Sequence, residues 1–253
     1  MPHAENQGVH IHYEVEGEGP PLVLQHGLTS SVRDWYDCGY VEGLKNDYRL
    51  ILVDARGHGC SDKPHDADVY TSKSMAGDIV AVLDKLNLKR AHYLGYSMGG
   101  WIGLAIAKHA PERFYSLIIG GMHHGKLGPD FPEVEPFSEG MEATVASWEE
   151  QSGPLDPDYR AKLLANDAEA LRATLLGMFR NPGFEDVLPT ITMPCLLYVG
   201  EADGEVDLAK DTARRIPDVT FVTLPELDHM EAFGRSEVVL PPIKRFLGTV
   251  ARG

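Results

Sequence analysis

Cysteine is nearly missing from this chain. Its 253 residues hold three, Cys38, Cys60 and Cys195, far apart and without C-x-x-C spacing. An odd, scattered set argues against a disulfide framework or a zinc site, and reduced thiols in a cytoplasmic protein are the default. Long apolar runs are missing too: none reaches the ~18 residues of a membrane-spanning helix. The start, MPHAENQGVHIHYE, has no apolar stretch of the signal-peptide kind. Positive charge is scarce, with 23 Lys and Arg against 38 Asp and Glu and a formal net charge of −15. That balance argues against nucleic acid or anionic lipid as a partner and otherwise serves solubility. There are no repeats and no low-complexity tracts. The expectation is a soluble, cytoplasmic protein, its oligomeric state left open.

What is present is an ordinary core-forming composition, 43% hydrophobic and 24% charged. Short apolar runs alternate with helix-like segments. Residues 9–15 alternate in polarity and predict a strand; 22-LVLQHG-27 and 49-RLILVDARG-57 read as buried strands ending in loops. Met75, Ile79, Val82, Leu83 and Leu86 lie at helical spacing, with Ser74 placed as N-cap. The strand 91-AHYLG-95, a helix to about Ala110 and the strand 115-YSLIIGG-121 follow. From 123 to 188 no strand is convincing, although 168–179 predicts an amphipathic helix. The alternation resumes with 194-PCLLYVG-200, a helix over about 208–216, the strand 219-VTFVTL-224 and a last helix carrying Ile243, Phe246, Leu247 and Val250. Pro241-Pro242 would suit the first turn of that helix. Such alternation needs crossover connections, hence an α/β fold with a mostly parallel central sheet and helices on both faces. The expected organisation is a core of residues 1–122 and 189–253 with a helical cap, or lid, inserted at 123–188.

One seam stands out. Gly95-Tyr96-Ser97-Met98-Gly99 fits G-x-S-x-G where a strand gives way to a helix. A sharp turn there strains the backbone and lifts the serine above the sheet. Gly95 and Gly99 remove Cβ atoms where strand and helix crowd, and the helix N-terminus favours negative charge. A serine hydroxyl is a poor nucleophile until a base takes its proton and a third group orients the base. The order for this turn is Ser, then Asp or Glu, then His. Asp203 follows the strand 194–200, and His229, the only histidine after the last strand, sits in 225-PELDHMEAF-233. Ligands gather at the carboxyl ends of parallel strands, so Ser97, Asp203 and His229 are expected to converge there. Glu201, Asp207 and Asp228 are competing acids. His123 and His124 follow a strand end and receive no role. An oxyanion needs N–H donors already in place; these are expected from the main chain of Met98 and of Leu28, in a loop shaped by His26 and Gly27.

With these residues assembled, the chain resembles the α/β-hydrolase superfamily over nearly its whole length. The resemblance rests on His26-Gly27, 54-DARGHGCS-61, 95-GYSMG-99 and the closing Asp203 and His229, with Trp35 after Ser30-Ser31 as a further likeness. It implies a serine esterase or lactonase rather than the members that place aspartate at the nucleophile. One departure is Asp228, where the family usually has glycine before the histidine. The implied chemistry is hydrolysis of a small or medium ester or lactone through an acyl-enzyme, with no metal or organic cofactor. C–C hydrolysis of a vinylogous diketone, a cofactor-free haloperoxidase or perhydrolase reaction, and a triad-retaining small-molecule receptor are the alternatives. Leu127, Phe131, Phe137, Met141, Trp148, Leu155 and Leu164 are expected to form the lid's own core or to line a pocket. Arg33 is a candidate partner for a substrate carboxylate.

Overall fold

A continuous apolar strand needs cover on both faces, and the sheet finds it. In the computed structural model, which describes residues 1–127 and 137–250, the described chain builds one eight-stranded sheet. The strands are β1 (His3–Asn6), β2 (Val9–Glu16), β3 (Pro21–Gln25), β4 (Arg49–Val53), β5 (Ala91–Tyr96), β6 (Phe114–Gly120), β7 (Cys195–Gly200) and β8 (Val219–Leu224). Across the sheet they run β1-β2-β4-β3-β5-β6-β7-β8. β1 and β2 join antiparallel at one edge, and from β4 to β8 every pair is parallel. Successive strand residues point to opposite faces. Leu22, Leu24, Leu50, Leu52 and Leu94 therefore enter one cluster, while Val23, Ile51, Val53 and Tyr93 enter the other.

The helices divide between those faces. α1 (Val32–Asp37), α2 (Tyr40–Leu44) and the C-terminal helix pack on the first cluster; α3 (Ser72–Lys85) and α4 (Met98–His109) pack on the second. Between β6 and β7 the described residues give α5 (Met141–Ser152), α6 (Pro157–Leu164) and α7 (Ala168–Phe179), with no strand. After β7 comes α8 (Val206–Arg215), and after β8 come α9 (Glu231–Gly234) and α10 (Ser236–Thr249).

Two helix starts differ from the sequence expectation. Thr71, not Ser74, caps α3: its Oγ1 accepts the Ser74 N–H at 3.1 Å. Apolar spacing marks the buried face of a helix, not its first residue. α10 begins at Ser236 and carries Pro241 and Pro242 in its interior. Two proline nitrogens cannot donate, but Val239, Ile243, Phe246 and Leu247 are buried against the sheet. That burial outweighs the lost bonds.

The turn 54–61 after β4 is tied from several sides. Asp54 accepts from the N–H groups of Val32 (2.8 Å) and Cys60 (2.9 Å) and bonds the His12 ring at 2.8 Å. Arg56 forms a buried bidentate pair with Asp78, at 2.7 and 2.6 Å, and donates to the Val69 carbonyl. Burial pushes the Asp78 carboxyl up, and the bonds from Arg56 and Asn6 only partly reverse this. Removing one partner would strand the other charge. Asp78→Ala is expected to lower the unfolding free energy by about 3–5 kcal/mol, read as a lower urea midpoint at unchanged slope; an unmoved midpoint would contradict it.

Two buried histidines make stability depend on pH. Burial, with the nearby His26, holds His58 down to about 3; burial, with the charge of Arg90, holds His92 down to about 4. Above pH 6.5 both are neutral folded and unfolded, so neither matters. As pH falls below 6.5 the unfolded chain takes up protons that the folded chain refuses. Stability then declines until pH reaches the folded values. At pH 5 each histidine is expected to cost about 2 kcal/mol. Denaturant titrations at pH 7.5 and pH 5 check this, and equal stabilities would refute it.

Candidate active site

Three close backbone contacts create the turn at Ser97. A Cβ on Gly95 would stand 2.2 Å from the Gly99 oxygen, and one on Gly99 would stand 2.1 Å from the Gln25 oxygen. β5, α4 and the end of β3 can therefore meet only through glycine. The Ser97 N–H donates to the Gly120 carbonyl at 2.8 Å, fastening the turn to β6. Between these anchors Ser97 is held at φ +54° and ψ −117°. That is outside the left-handed helical region and strained for any residue with a Cβ.

The Ser97 hydroxyl faces an imidazole. His229, in the loop after β8, places Nε2 3.0 Å from Ser97 Oγ and Nδ1 2.8 Å from Asp203 Oδ2. Asp203, three residues past β7, is 4% exposed. Burial works against its charge, but the bond from His229 and the Glu205 N–H (3.0 Å to Oδ1) more than reverse that and hold the carboxyl below its usual value. An ionised carboxylate only accepts, so the ring proton is assigned to Nδ1, leaving Nε2 to accept from Ser97.

The competing acids are engaged elsewhere. Glu201 accepts from the Thr223 hydroxyl, and Asp207 pairs with Lys210 at the surface. Asp228, the residue that departs from the family pattern, forms a reciprocal pair with Glu231. Its Oδ1 accepts the Glu231 N–H at 2.8 Å, and its own N–H donates to Glu231 Oε2 at 3.1 Å. These two bonds close the turn 228–231 that carries His229 into α9. His123 accepts the Gly125 N–H and meets Glu205 at 3.2 Å; His124 bonds Thr212. Burial lowers the pKa of both.

Met98 follows the serine directly, and Leu28 follows Gly27, which lies beside it. A Cβ on Gly27 would lie 3.2 Å from the Ser97 Cβ, so the segment between β3 and Leu28 passes directly beside the Ser97 side chain. Met98 is the first residue of α4, and the first amides of a helix have no partner within it. His26 braces this loop: its Nδ1 bonds the Gly27 carbonyl at 2.7 Å and its Nε2 accepts the Ala55 N–H at 3.1 Å. Burial lowers its pKa and keeps it neutral in that role.

The other named residues fall as follows. Phe137 and Met141 are buried in a separate apolar cluster with Val145, Leu163, Leu171 and Leu175; Trp148, Leu155, Leu164 and Leu28 pack on its edge. Leu127 belongs to the main core. Phe131 lies outside the described residues. Arg33 is 65% exposed and paired with Glu14 at 3.0 Å, so its charge is spent at the surface. Ligand atoms of His12, Asp54 and Cys60 lie within 4.8 Å of one another, but the Asp54 oxygens already hold the turn 54–61. A cavity of about 210 Å³ opens between 65–67 and α7, lined in part by Phe137, Glu169 and Arg172. Its lining includes none of Ser97, Asp203 and His229. No helix among the described residues is long and apolar enough to cross a membrane.

Two contacts were not anticipated from sequence. The Tyr96 hydroxyl donates to the His229 carbonyl at 2.5 Å, and Asn166 Nδ2 donates to the Thr29 carbonyl at 3.0 Å, linking the segment after α6 to the Leu28 loop. Neither has a periodic or motif signature, since both depend on where distant loops meet.

A mostly parallel sheet with a strained serine between β5 and α4 defines the class. The chain belongs to the alpha/beta hydrolase fold family, whose model matches residues 20–219, and it is a hydrolase of that superfamily. A putative carbamate hydrolase, RutD, of Pseudomonas syringae pv. syringae is 36% identical over 226 residues, covering 82% of this chain and 85% of its own. A non-heme chloroperoxidase of Streptomyces lividans is 28% identical over 274 residues, covering 96% and 97%. Among solved structures, the esterase RhEst1 from Rhodococcus sp. ECU1013 superposes with a TM-score of 0.84 at 25% identity, covering 99% of each chain.

Proposed function

We propose that this hydrolase cleaves small or medium carboxylic esters or lactones through a covalent acyl-enzyme on Ser97. His229 Nε2 takes the Ser97 proton as Oγ attacks the carbonyl carbon. The developing oxyanion is held by the N–H groups of Leu28 and Met98, and Asp203 stabilises the imidazolium. His229 then protonates the leaving alkoxide. Water, deprotonated by the same imidazole, attacks the acyl-enzyme, releases the acid and restores the serine. No metal or organic cofactor enters these steps.

The observation that supports this reading best is the chain of contacts Ser97–His229–Asp203, at 3.0 and 2.8 Å, on a serine held in a strained turn. The likeness to an esterase agrees with it. In this reading the insertion 123–188 is the cap, and among its described residues Phe137, Met141 and Leu175 share an apolar cluster against which Leu28 packs. The likeness to a chloroperoxidase gives a second reading, in which hydrogen peroxide replaces water at the acyl-enzyme and releases a peracid.

A panel of p-nitrophenyl esters and simple lactones tests the proposal, with peroxide added in a parallel arm. Repeated turnover of an ester or lactone supports hydrolysis. Release of one product followed by a stall points to a receptor and refutes it. Peracid formed faster than the carboxylic acid would favour the second reading.

A further inference from the structure

Tyr96 separates Gly95 from the proposed nucleophile, yet its side chain reaches the other end of the relay. It is 3% exposed, and its hydroxyl donates to the main-chain carbonyl of His229 at 2.5 Å. The ring is packed among aromatics: Phe233 at 5.2 Å, His229 at 5.4 Å and Tyr198 at 5.9 Å between centroids. Gly121 makes the space. It adopts φ +56°, and a Cβ there would stand 2.7 Å from Tyr96 Cζ, 2.8 Å from its hydroxyl and 3.1 Å from His229 Cε1. Burial, reinforced by the charges of Asp203 and Asp228, pushes the phenol far above its ordinary range, so it remains a donor at any working pH.

We propose that Tyr96 is a positioning residue that sets His229 against Ser97 by holding the main chain of the histidine loop. The inference rests on the reading of Ser97, His229 and Asp203 as a proton relay. β5 ends at Tyr96, which is paired with Gly120 of β6. The strand end that aims the serine therefore also fixes the height of the imidazole. Asp203 holds the ring by its Nδ1 edge; Tyr96 holds the backbone that carries the ring. The two restraints act on different atoms, and the carboxylate alone leaves the backbone free to drift. A displacement of about 1 Å in such a relay costs about 100-fold in rate.

Tyr96→Phe keeps the ring and removes the donor. The first readout is the rate at which a fluorophosphonate labels Ser97. In that reaction the serine oxygen bonds phosphorus, fluoride leaves, and the serine proton passes to His229. Labelling is expected to slow about 10- to 100-fold while its end point stays at one label per chain. Where an ester is turned over, kcat falls by a similar factor with KM within about twofold. Tyr40→Phe is the comparison: it removes a similar hydroxyl bond to the Phe233 carbonyl, 3.0 Å long, beyond the histidine. It is expected to slow labelling by less than about threefold.

Labelling of Tyr96→Phe at the wild-type rate would overturn the proposal. So would a lowered end point with an unchanged rate at the remaining sites, or failure of the variant to fold, because either makes the hydroxyl structural. Wild-type labelling that Tyr96→Phe slows, in a protein that turns over no ester or lactone, leaves this proposal standing and sinks the ester reading alone. A wild-type protein that is not labelled ends both.

Discussion

Ser97→Ala is expected to lower kcat on any ester the protein turns over by about 10⁵- to 10⁶-fold. The substitution removes the oxygen 3.0 Å from His229 Nε2 and leaves the rest of the site in place. A residual rate, about 10³-fold above water, is expected from the Leu28 and Met98 amides and from binding. Alanine retains the Cβ that φ +54° and ψ −117° disfavour, so stability should change little. Ser97→Gly makes a sharper comparison: it is equally inactive, yet the strain disappears. Net of the extra freedom that glycine gives the unfolded chain, it should be about 1 kcal/mol more stable than Ser97→Ala. Thermal unfolding of the two variants, run beside their kinetics, checks both statements. Retention of activity in Ser97→Ala would remove the acyl-enzyme altogether. Equal stability of the two variants would mean that the turn stores no strain in its serine.

The sheet was legible because its signal is local. The segments 22-LVL-24 and 195-CLLYV-199 are apolar without alternation because both faces of β3 and β7 are covered, as is usual for parallel strands with helices on each side. The edge was harder to read. β1, His3–Asn6, is four polar or small residues paired to β2 by main-chain bonds, and nothing in their side chains announces a strand. The short helices α1 and α2 escaped for a similar reason: at six and five residues they are too brief for a 3.6-residue period to emerge. The start of α10 was misplaced by its prolines, whose local preference lost to the burial of Val239 and Ile243.

Of the site, the sequence displayed the raw material: a serine between glycines, an acid beyond one strand and a histidine beyond the next. Its supports were not displayed. Asp228 looked only like a departure from a glycine rule, whereas it exchanges two bonds with Glu231 across the turn that holds the histidine. Asn166 and Thr29 stand 137 residues apart and meet only in the folded chain. Tyr96 occupies the variable position of G-x-S-x-G, where the pattern itself is silent about the side chain.

Asp203→Asn should reduce kcat by about 10⁴-fold without unfolding the protein, and the reason can be followed atom by atom. Asp203 Oδ1 accepts the Glu205 N–H at 3.0 Å, while Oδ2 accepts from His229 Nδ1 at 2.8 Å. An asparagine here has one oxygen to offer. The Glu205 N–H can only donate, so it claims that oxygen and turns the amide NH₂ toward His229. Nδ1 must then accept rather than donate, and the imidazole proton moves to Nε2, the nitrogen 3.0 Å from Ser97 Oγ. A protonated Nε2 cannot take the serine proton. The shape of the site survives while its polarity is reversed. Glu201→Gln and Asp207→Asn supply the contrast, because those carboxylates bond Thr223 and Lys210 and not the imidazole. Both should stay within about twofold of wild type, since surface substitutions of this kind perturb little. A large loss in either, together with a mild effect of Asp203→Asn, would transfer the orienting role to another acid. The direct check is the kcat of the three variants on one ester, with ¹⁵N resonances of the His229 ring reporting which nitrogen carries the proton.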